Sequence, residues 1–589
     1  MKNGKGKPLK EIFAVAFANY KKKDLKTAAN FCYKILSIEP NHFDSISLLA
    51  TISAMSNNFV KAKQLLFQAI KVQPNNVIAL NNLGTACKEL ENYEESIIYY
   101  SKVLKVDPNH TNAHYNLGLV FYKLKDLEKA KSYLQKTVKI QPNYALAFFS
   151  LGNIHVDLKD YESAVNCYQK ATELNPTIIG AHNNLGLVFR ILNDFEKAIS
   201  CYNKALEINA NHAGVSHNLA LAYKEVGDFK NAIKLHESAL KIEPENFMHY
   251  FYLSALKKDI LNEKIKNKVK KFLISDNCTK TNLAYGNFLL AKFENKTQNF
   301  PKELDYLIKG HQFFFDTKKE KFKLGIKYCF DDVLQIEEGA KIEETKNDKE
   351  YKIKPIFIFG VPRCGSTLLE KIIASGKKLI PMGEETSVLE NFFNKKILEK
   401  QSLNLGDVKT IRKEIEDIYH KRGLISKKYN YIFTDKSLNN FFYLNLIKII
   451  YPNAKIINCK RDYTSSIISI FQNNLTELGW AHDLNNIFKY FDNYLRIIKN
   501  FNDKNSNFIL NLQFEKLVQN PEEESKKIMK FCELEWNQKC LEFYKRKDLI
   551  SKTASNVQIR QAIYKHELDK YLPYKKLLEK YGNKYSWFN

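Results

Sequence analysis

A 34-residue period runs through residues 8–245 and constrains the fold more than any other feature of the chain. Prolines, glycines and small residues each recur on this period, in three different phases. The members are Pro40, Pro74, Pro108, Pro142, Pro176 and Pro244; Gly84, Gly118, Gly152 and Gly186; and Ala62, Ser96, Ala130, Ala164, Ala198 and Ala232. Three phase-locked series indicate an array of repeated units, each packed on its neighbours.

Each series has a physical role in a pair of helices. The glycine of a first helix and the small residue of a second helix allow the two helices to approach closely. Proline ends the second helix and starts the turn to the next unit. Between them, apolar residues recur at helical spacing, and Asp126, Asp160 and Asp194 stand where helix caps are expected. The pattern therefore predicts helix–turn–helix units.

This pattern resembles the tetratricopeptide repeat. We identify seven repeats, at 8–41, 42–75, 76–109, 110–143, 144–177, 178–211 and 212–245. The resemblance implies an α-solenoid, a superhelix whose concave face binds a protein or peptide partner. A purely structural or self-associating array is the other interpretation, and self-association stays open.

The rest of the chain divides into two further regions. Residues 251–350 continue as a helical bridge that resembles a degenerate repeat pair, after an array that we assign to 1–250. The charged stretch 336–354 is poor in apolar residues and marks a domain boundary. Residues 351–589 have a different sequence pattern, with short apolar runs typical of buried strands. We assign them to a separate α/β domain with a central parallel sheet.

The chain is strongly basic, with 91 Lys and Arg against 65 Asp and Glu and a net charge of +26. Such a charge raises the possibility of nucleic-acid binding. Because the lysines are spread along the whole chain, we interpret the charge as a compositional bias and expect no nucleic-acid partner. Arginine is rare, with eight residues, and seven of them follow position 350, where a planar bidentate donor has a use.

The cysteine pattern and the hydropathy bear on the cellular environment. None of the ten cysteines forms a C-x-x-C motif, which favours reduced thiols and a cytoplasmic location over a disulfide framework or a zinc site. No apolar run is long enough for a transmembrane segment. The basic N-terminus lacks a small-residue cleavage site, so we predict no signal peptide.

A phosphate-binding strand–loop–helix unit is predicted at residues 355–375. The apolar run PIFIFG (355–360) predicts a buried strand, and a Gly-bounded loop and a helix pattern follow it. Backbone N–H groups of such a loop face an anion. The ATP-binding loop has lysine where this chain has Ser366. A shorter 5′-phosphoryl group, with Arg363 as the local cation, therefore suits this loop better than a nucleoside triphosphate with Mg²⁺.

A second strand, AKIINC (454–459), ends near a possible ligand site. Arg461 follows this strand, and Ser469 lies two turns into the next predicted helix. Open α/β sheets bind ligands at the carboxyl ends of their strands. Arg461 and Ser469 are therefore predicted to face one ligand, although an Arg461–Asp462 surface pair is the simpler interpretation.

These residues resemble those of sulfotransferases. IFIFGVPRCGSTLLE is similar to their 5′-phosphosulfate loop, and KIINCKRDYTSSIISIF is similar to their 3′-phosphate motif. Further segments resemble tyrosylprotein sulfotransferases, and the combination with repeats resembles a group of bacterial proteins. These segments are MGEET (382–386), TDKSLNNFFYL (434–444), LQFEKLVQNPEE (512–523) and TASNVQIRQAIY (553–564).

The resemblance implies a donor, 3′-phosphoadenosine 5′-phosphosulfate, that is held at both ends without a metal. Arg461 and Ser469 would hold its 3′-phosphate, with Arg560 as an additional residue. Arg363 would serve its 5′ side, where the cradle of backbone N–H groups comprises Cys364, Gly365, Ser366, Thr367 and Leu368. No cluster of His, Asp or Cys in the sequence indicates a metal.

The resemblance also implies catalytic roles. Glu385 would take the proton of an acceptor hydroxyl, with its neighbour Glu384 as the rival base. Arg363, Lys436 and Ser555 would neutralise the charge that builds on the leaving phosphate. Ser387 and Asn473 stand where enzymes that modify tyrosine have basic residues. The acceptor is therefore open between a peptide, a glycan, a lipid and a small molecule.

Two further positions depart from the family pattern, and two other functions compete with an enzyme of this family. Cys364 stands where serine is common, and Gln513–Phe514 stands where an aromatic pair is typical. A non-catalytic repeat scaffold with a relic nucleotide domain is the main alternative to an enzyme. A P-loop kinase is a third hypothesis, and Ser366 in the lysine position argues against it.

Overall fold

The computed structural model describes residues 6–275, 278–343, 353–400, 402–425, 431–505, 508–546, 560–563 and 571–588. The chain divides into two compact units, residues 1–219 and 220–589. The three-part division at 250 and 350 assigns regions by expected function and stays a prediction. Among the described residues, no helix has both the length and the apolar character that spanning a membrane requires.

The repeat region forms seven helix pairs in the predicted phase, counted over residues 6–242. Its helices α1–α14 span Gly6–Lys21, Leu25–Ile38, Phe43–Met55, Phe59–Val72, Val77–Glu89, Tyr93–Val106, Thr111–Lys123, Leu127–Ile140, Ala145–Asp157, Tyr161–Leu174, Ile179–Ile191, Phe195–Ile208, Ala213–Val226 and Phe229–Ile242. The side chains of Asp126, Asp160 and Asp194 accept hydrogen bonds from backbone N–H groups three residues later, which confirms them as helix caps.

Close contact between paired helices explains the glycine series. A Cβ atom on Gly152 would lie 2.5 Å from the ring of Tyr168, and one on Gly186 would lie 2.7 Å from Tyr202. The small residues of the second helices are fully buried, and the hydroxyl of Ser96 donates to the carbonyl of Gly84 at 2.8 Å. The periodic residues therefore occupy the positions where two helix backbones meet.

The bridge is helical and contains a pair with repeat-like features. Helices α15–α20 span Phe247–Leu256, Glu263–Leu273, Lys280–Lys296, Phe300–Thr317, Lys319–Lys327 and Val333–Gly339. Between α17 and α18, Gln298 has a positive φ of 58°. Lys125 and Lys159, in turns of the array, likewise have positive φ values of 64° and 59°. A Cβ on Gly310 would lie 2.6 Å from Phe288. Helices α17 and α18 thus share the turn geometry and the close glycine contact of the repeat pairs, and their assignment as a degenerate repeat stays a prediction.

The C-terminal region contains parallel strands and helices. The strands β1–β6 span Lys341–Glu343, Lys354–Phe359, Asn404–Asp407, Ile432–Asp435, Lys455–Lys460 and Ile509–Gln513. The helices α21–α29 span Ser366–Ala374, Val388–Lys400, Val408–Lys421, Leu444–Ile450, Tyr463–Gln472, Leu484–Lys504, Phe514–Gln519, Pro521–Phe531 and Leu572–Gly582. Strands β1 and β3 form a separate parallel pair.

The central sheet of the described residues has four parallel strands in the order β4–β2–β5–β6. The residues Ile356–Phe359 of β2 are buried, as expected for an inner strand with helices on both faces. Since all four strands run in one direction, the residues that follow β2, β4 and β5 lie at one edge of the sheet. These residues are Gly360, Lys436 and Arg461, so the sheet brings the predicted site segments to the same edge.

Candidate donor-binding and catalytic site

The loop after β2 has a shape that depends on two glycines. Gly365 has a φ of 99°, and a Cβ on it would lie 2.2 Å from the ring of Phe514. A Cβ on Gly360 would lie 2.4 Å from the carbonyl oxygen of Cys459. The first hydrogen bond of α21 runs from Leu369 N–H to the Gly365 carbonyl. Helix α21 therefore begins directly after this loop, and backbone N–H groups at a helix N-terminus can face an anion. Within the predicted cradle, the N–H of Cys364 donates to the Val361 carbonyl at 3.1 Å.

Three predicted site residues converge at this loop. Arg461 donates from Nη1 to the backbone carbonyl of Arg363 at 2.9 Å, and Arg363 donates from Nε to the hydroxyl of Ser469 at 3.1 Å. Arg363 has a φ of 71°, a conformation that costs a non-glycine residue energy. These hydrogen bonds connect the loop to the β5–α25 segment. The sequence analysis assigns Arg363 to the 5′ side of the ligand and Arg461 and Ser469 to its 3′-phosphate.

The surroundings of Arg461 are aromatic. Its guanidinium carbon lies 5.0 Å from the ring centre of Phe514 and 5.8 Å from that of Tyr571. The carboxylate of Asp462 accepts from the backbone N–H of Ser465 and caps α25. The simpler interpretation, an Arg461–Asp462 surface pair, does not describe this arrangement. Phe514 contacts both Arg461 and the turn at Gly365. One aromatic ring is thus present at the place where the family typically has an aromatic pair.

Lys436 and Glu385 form an ion pair beside the loop. Lys436 Nζ lies 3.0 Å from Glu385 Oε1; the lysine side chain is 0% exposed and the glutamate side chain 52% exposed. Burial disfavours the charged lysine, but the carboxylates of Glu385, Glu370 and Glu384 outweigh burial and raise the pKa of Lys436. Lys436 is thus a fixed cation, and Glu385 is a carboxylate that an external hydroxyl can reach.

Glu384 and Glu385 have different environments. Glu384 is buried with a φ of 48°, and its backbone carbonyl accepts from the N–H of Lys436 at 2.8 Å. A Cβ on the preceding Gly383 would lie 2.3 Å from the Thr434 carbonyl, so the turn packs tightly on β4. Of the two neighbours, Glu385 is therefore the one whose side chain solvent can reach.

Two buried carboxylates near this turn were not predicted. Asp435 accepts hydrogen bonds from the hydroxyls of Thr386, Tyr419 and Ser437 and from the backbone N–H of Ser437. Glu370 accepts from Thr434 and from the N–H of Glu384. Both carboxylates have a sequence signal: a charged residue inside an apolar pattern, as in LLEKIIA and YIFTDK.

The remaining predicted residues lie elsewhere or are buried. Arg560 donates from Nη2 to the carbonyl of Glu225 at 2.9 Å, and its guanidinium packs on Gly227. Its role toward a 3′-phosphate stays a prediction. Ser555 lies outside the described residues. Cys364 is fully buried and its carbonyl accepts from the Cys459 thiol, an arrangement that suits a small residue filling the loop.

Residues 355–538 match a family described as "Sulfotransferase family". These residues form a sulfotransferase-family domain. The match confirms the predicted resemblance, and it includes Arg363, Glu385, Lys436, Arg461 and Ser469. Residues 64–264 match a second family, described as "Tetratricopeptide repeat protein 21 C-terminal ARM domain".

Two relatives are similar to parts of the chain. A Caenorhabditis briggsae protein named "Putative protein-tyrosine sulfotransferase" is 24% identical over 35% of this chain and 77% of its own length. An Aquifex aeolicus (strain VF5) protein named "Uncharacterized protein" is 28% identical over 50% of this chain. The chain spans 40% of the length of that Aquifex protein.

Solved structures of repeat proteins align with about a third of the chain. YrrB, titled "a TPR protein with an unusual peptide-binding site", is 22% identical with a TM-score of 0.28 and covers 31% of this chain and 95% of its own. Pseudomonas aeruginosa pilF is 18% identical with a TM-score of 0.32 and covers 37% and 95%.

Proposed function

We propose that this protein is an enzyme that transfers a sulfuryl group from 3′-phosphoadenosine 5′-phosphosulfate to an acceptor hydroxyl. The observation that carries the proposal is the pair of hydrogen bonds joining Arg461, Arg363 and Ser469 at the edge of the sheet. A donor with phosphates at both ends needs cations at two places that share one site. The sulfotransferase-family match supports the reaction class.

The donor would lie across the loop and the β5–α25 segment. Backbone N–H groups of the predicted cradle, residues 364–368, would bind the 5′-phosphate at the start of α21, and that of Cys364 would have to leave the Val361 carbonyl to take part. Arg461 and Ser469 would bind the 3′-phosphate, with Arg560 as an additional cation. A nucleotide would then replace the hydrogen bonds from Arg461 to the Arg363 carbonyl and from Arg363 to the Ser469 hydroxyl, since a phosphate is a stronger partner for a guanidinium than a carbonyl or hydroxyl.

The reaction would break one S–O bond and form another. The acceptor oxygen attacks sulfur in line, and the bond between sulfur and the bridging oxygen breaks, so that adenosine 3′,5′-bisphosphate leaves. Lys436, with Arg363 and Ser555, would stabilise the charge on the leaving oxygen. Glu385 would accept the proton of the acceptor hydroxyl. The ion pair between Lys436 Nζ and Glu385 Oε1, at 3.0 Å, supports this assignment because it brings both side chains to one part of the domain.

We propose that the acceptor is a protein or peptide bound by the repeat array. The array supports a peptide partner, and the Caenorhabditis briggsae relative is named for protein tyrosine. Ser387 replaces a basic residue of the tyrosine-modifying enzymes, but Arg422 comes from another segment and donates to the Thr386 carbonyl at 2.7 Å. A basic side chain is thus present beside the turn.

The ten cysteines are free thiols, which supports a cytoplasmic location.

Label transfer tests the reaction and the acceptor together. The purified protein is incubated with cell extract and a donor labelled with ³⁵S, and the label is sorted by macromolecule class. We expect label in protease-sensitive material with the wild type and none with Glu385→Gln. Absence of transfer by the wild type would contradict the function. Transfer to protease-resistant material would contradict the acceptor class and leave sulfuryl transfer standing.

A further inference from the structure

Glu370 connects the donor loop helix to the turn that carries Glu385. It lies on the second turn of α21 and is fully buried. Its Oε1 accepts two hydrogen bonds, from the N–H of Glu384 at 3.0 Å and from the hydroxyl of Thr434 at 2.6 Å. One carboxyl oxygen therefore holds together α21, the Gly383–Ser387 turn and strand β4.

The turn needs such support. Glu384 and Ser387 both have positive φ values, 48° and 49°, which cost non-glycine residues about 1 kcal/mol or more each. The hydrogen bond from the N–H of Glu384 to a carboxyl group offsets part of this cost. Because the Glu384 carbonyl also accepts from the Lys436 backbone, the position of Glu370 determines where the Glu385–Lys436 pair lies relative to the donor loop.

The charges around Glu370 favour its neutral form. Among the described residues, its Oε2 is buried and has no hydrogen-bond partner. Burial and the charge of Glu384 oppose Lys436 and raise the pKa of Glu370 to about 7. On its own helix, Lys371 faces Glu384 and Glu370, and burial lowers the pKa of that lysine to about 8. The carboxyl groups of Glu370, Glu384 and Glu385 thus lie near two ammonium groups, and the charges of Arg546 and Arg560 also act on Lys371.

We propose that Glu370 is a positioning residue that holds the Glu384–Glu385 turn on the donor loop helix and takes up a proton from solvent when the donor nucleotide binds. This inference rests on the proposed function, since the bound phosphosulfate would add negative charge beside Lys436. The neutral carboxyl keeps Oε1 as the acceptor for Glu384 and Thr434 and places the proton on Oε2. The negative charge is thereby removed without loss of the hydrogen bonds.

Proton-linked binding of adenosine 3′,5′-bisphosphate tests the inference. Its affinity is measured by calorimetry from pH 6 to 8.5, in two buffers of different ionisation enthalpy so that proton uptake is counted. We expect the wild type to take up a fraction of a proton near pH 7 when it binds the nucleotide. As the pH rises across this range, the affinity of the wild type should fall by about tenfold more than that of Glu370→Gln, equivalent to one pKa unit. The variant removes the titrating group and keeps its shape, while the titration of the nucleotide is common to both.

Two further measurements separate positioning from general stability. Glu303→Gln alters a buried glutamate that accepts from Tyr574 and Gln472, and it should keep the wild-type pH profile. Hydrogen exchange of the Glu384 amide should rise in Glu370→Ala and stay low in Glu370→Gln, whose Oε1 still accepts.

The outcomes that overturn the inference are distinct from those that overturn the proposed function. Equal pH profiles and equal proton counts for the wild type and Glu370→Gln would contradict proton uptake. Unchanged exchange of the Glu384 amide in Glu370→Ala would contradict positioning. If the wild type does not bind the bisphosphate nucleotide at all, both the proposed function and proton uptake fail, and the exchange measurement alone decides the positioning role.

Discussion

Arg461 donates a hydrogen bond of 2.9 Å to the backbone carbonyl of Arg363, a residue 98 positions earlier in the chain. The two residues follow neighbouring parallel strands, β5 and β2, so their loops begin at the same edge of the sheet. Two guanidinium groups are therefore held near one loop, with Ser469 as the third member of the group. The proposed binding of a nucleotide through both of its phosphates depends on this relationship.

Glu385→Gln should abolish sulfuryl transfer without loss of donor binding. The variant keeps a hydrogen-bonding group beside Lys436 but cannot accept a proton, and loss of a general base costs about 10²- to 10⁴-fold in rate. Rates are measured with labelled donor, and affinity is measured by calorimetry with the bisphosphate nucleotide. Glu338→Gln is the matched control, since Glu338 is an exposed partner of Arg496. Full activity of Glu385→Gln would contradict this role and show that another group accepts the proton.

Gly365→Ala should disrupt the donor loop. Alanine is strained at a φ of 99°, and its Cβ would lie 2.2 Å from Phe514, which also supports Arg461. We expect at least tenfold weaker binding of the bisphosphate nucleotide. Gly423→Ala provides the control, because Gly423 has a φ of 73° but no atom of the described residues would lie within 4 Å of the added methyl group. Its nucleotide affinity should match the wild type, and equal losses in both variants would contradict a specific role for the loop.

Gly152→Ala should destabilise the repeat unit by about 1–3 kcal/mol, the usual cost of overpacking a core. The added methyl group would lie 2.5 Å from the ring of Tyr168 on the paired helix. Urea or thermal unfolding of the repeat region provides the measurement. In Gly214→Ala the methyl group meets ordinary contact distances of 3.4 Å or more, so this control should be neutral. A neutral Gly152→Ala would show that the helices can separate without cost.

Acid should destabilise the C-terminal unit through a buried histidine pair. His311 donates from Nε2 to the Phe471 carbonyl, so its Nδ1 accepts from His482 Nδ1 at 2.8 Å. Burial lowers the pKa of His311 to about 4, and burial with the charges of His311 and Lys318 lowers the pKa of His482 to about 2. Since the unfolded chain binds these protons near pH 6.5, stability is complete above that pH and falls as the pH decreases toward 4.

Replacement of the pair tests this pH dependence. In the double variant His311→Phe and His482→Phe, two apolar rings occupy the positions of two neutral imidazoles, so the two groups that must charge on unfolding are absent. Thermal midpoints measured from pH 7 to 4.5 should fall less steeply for the double variant than for the wild type. Parallel pH dependences of the two proteins would show that other groups cause the acid sensitivity.

The array and the strand-edge residues were predictable because their signals are local. The spacing of Gly152 and Ala164 fixes where two helices meet, and a buried strand followed by Arg461 specifies which edge of a parallel sheet that side chain occupies. Each of these inferences needs one repeat or one strand–helix unit, and the topology of parallel sheets supplies the rest.

The network beneath Glu385 was not predictable because it depends on tertiary geometry. Glu370 meets the Glu384 amide only because the turn adopts positive φ values and Gly383 packs on the Thr434 carbonyl. Likewise, the contact of Arg560 with Glu225 joins residues 335 positions apart, and no local pattern specifies it. A family resemblance assigns expected roles to residues but does not reveal such connections.

Calorimetric titration of the wild type and Arg461→Ala with adenosine 3′,5′-bisphosphate and with 5′-AMP tests the central claim most directly. Arg461 would contact the 3′-phosphate, and a charge-assisted hydrogen bond contributes about 1.5–3 kcal/mol. The wild type should therefore bind the bisphosphate at least tenfold more tightly than 5′-AMP, and Arg461→Ala should remove that preference while the exposed control Arg496→Ala keeps it. Equal affinity of the wild type for both nucleotides, or an undiminished preference in Arg461→Ala, would contradict the account.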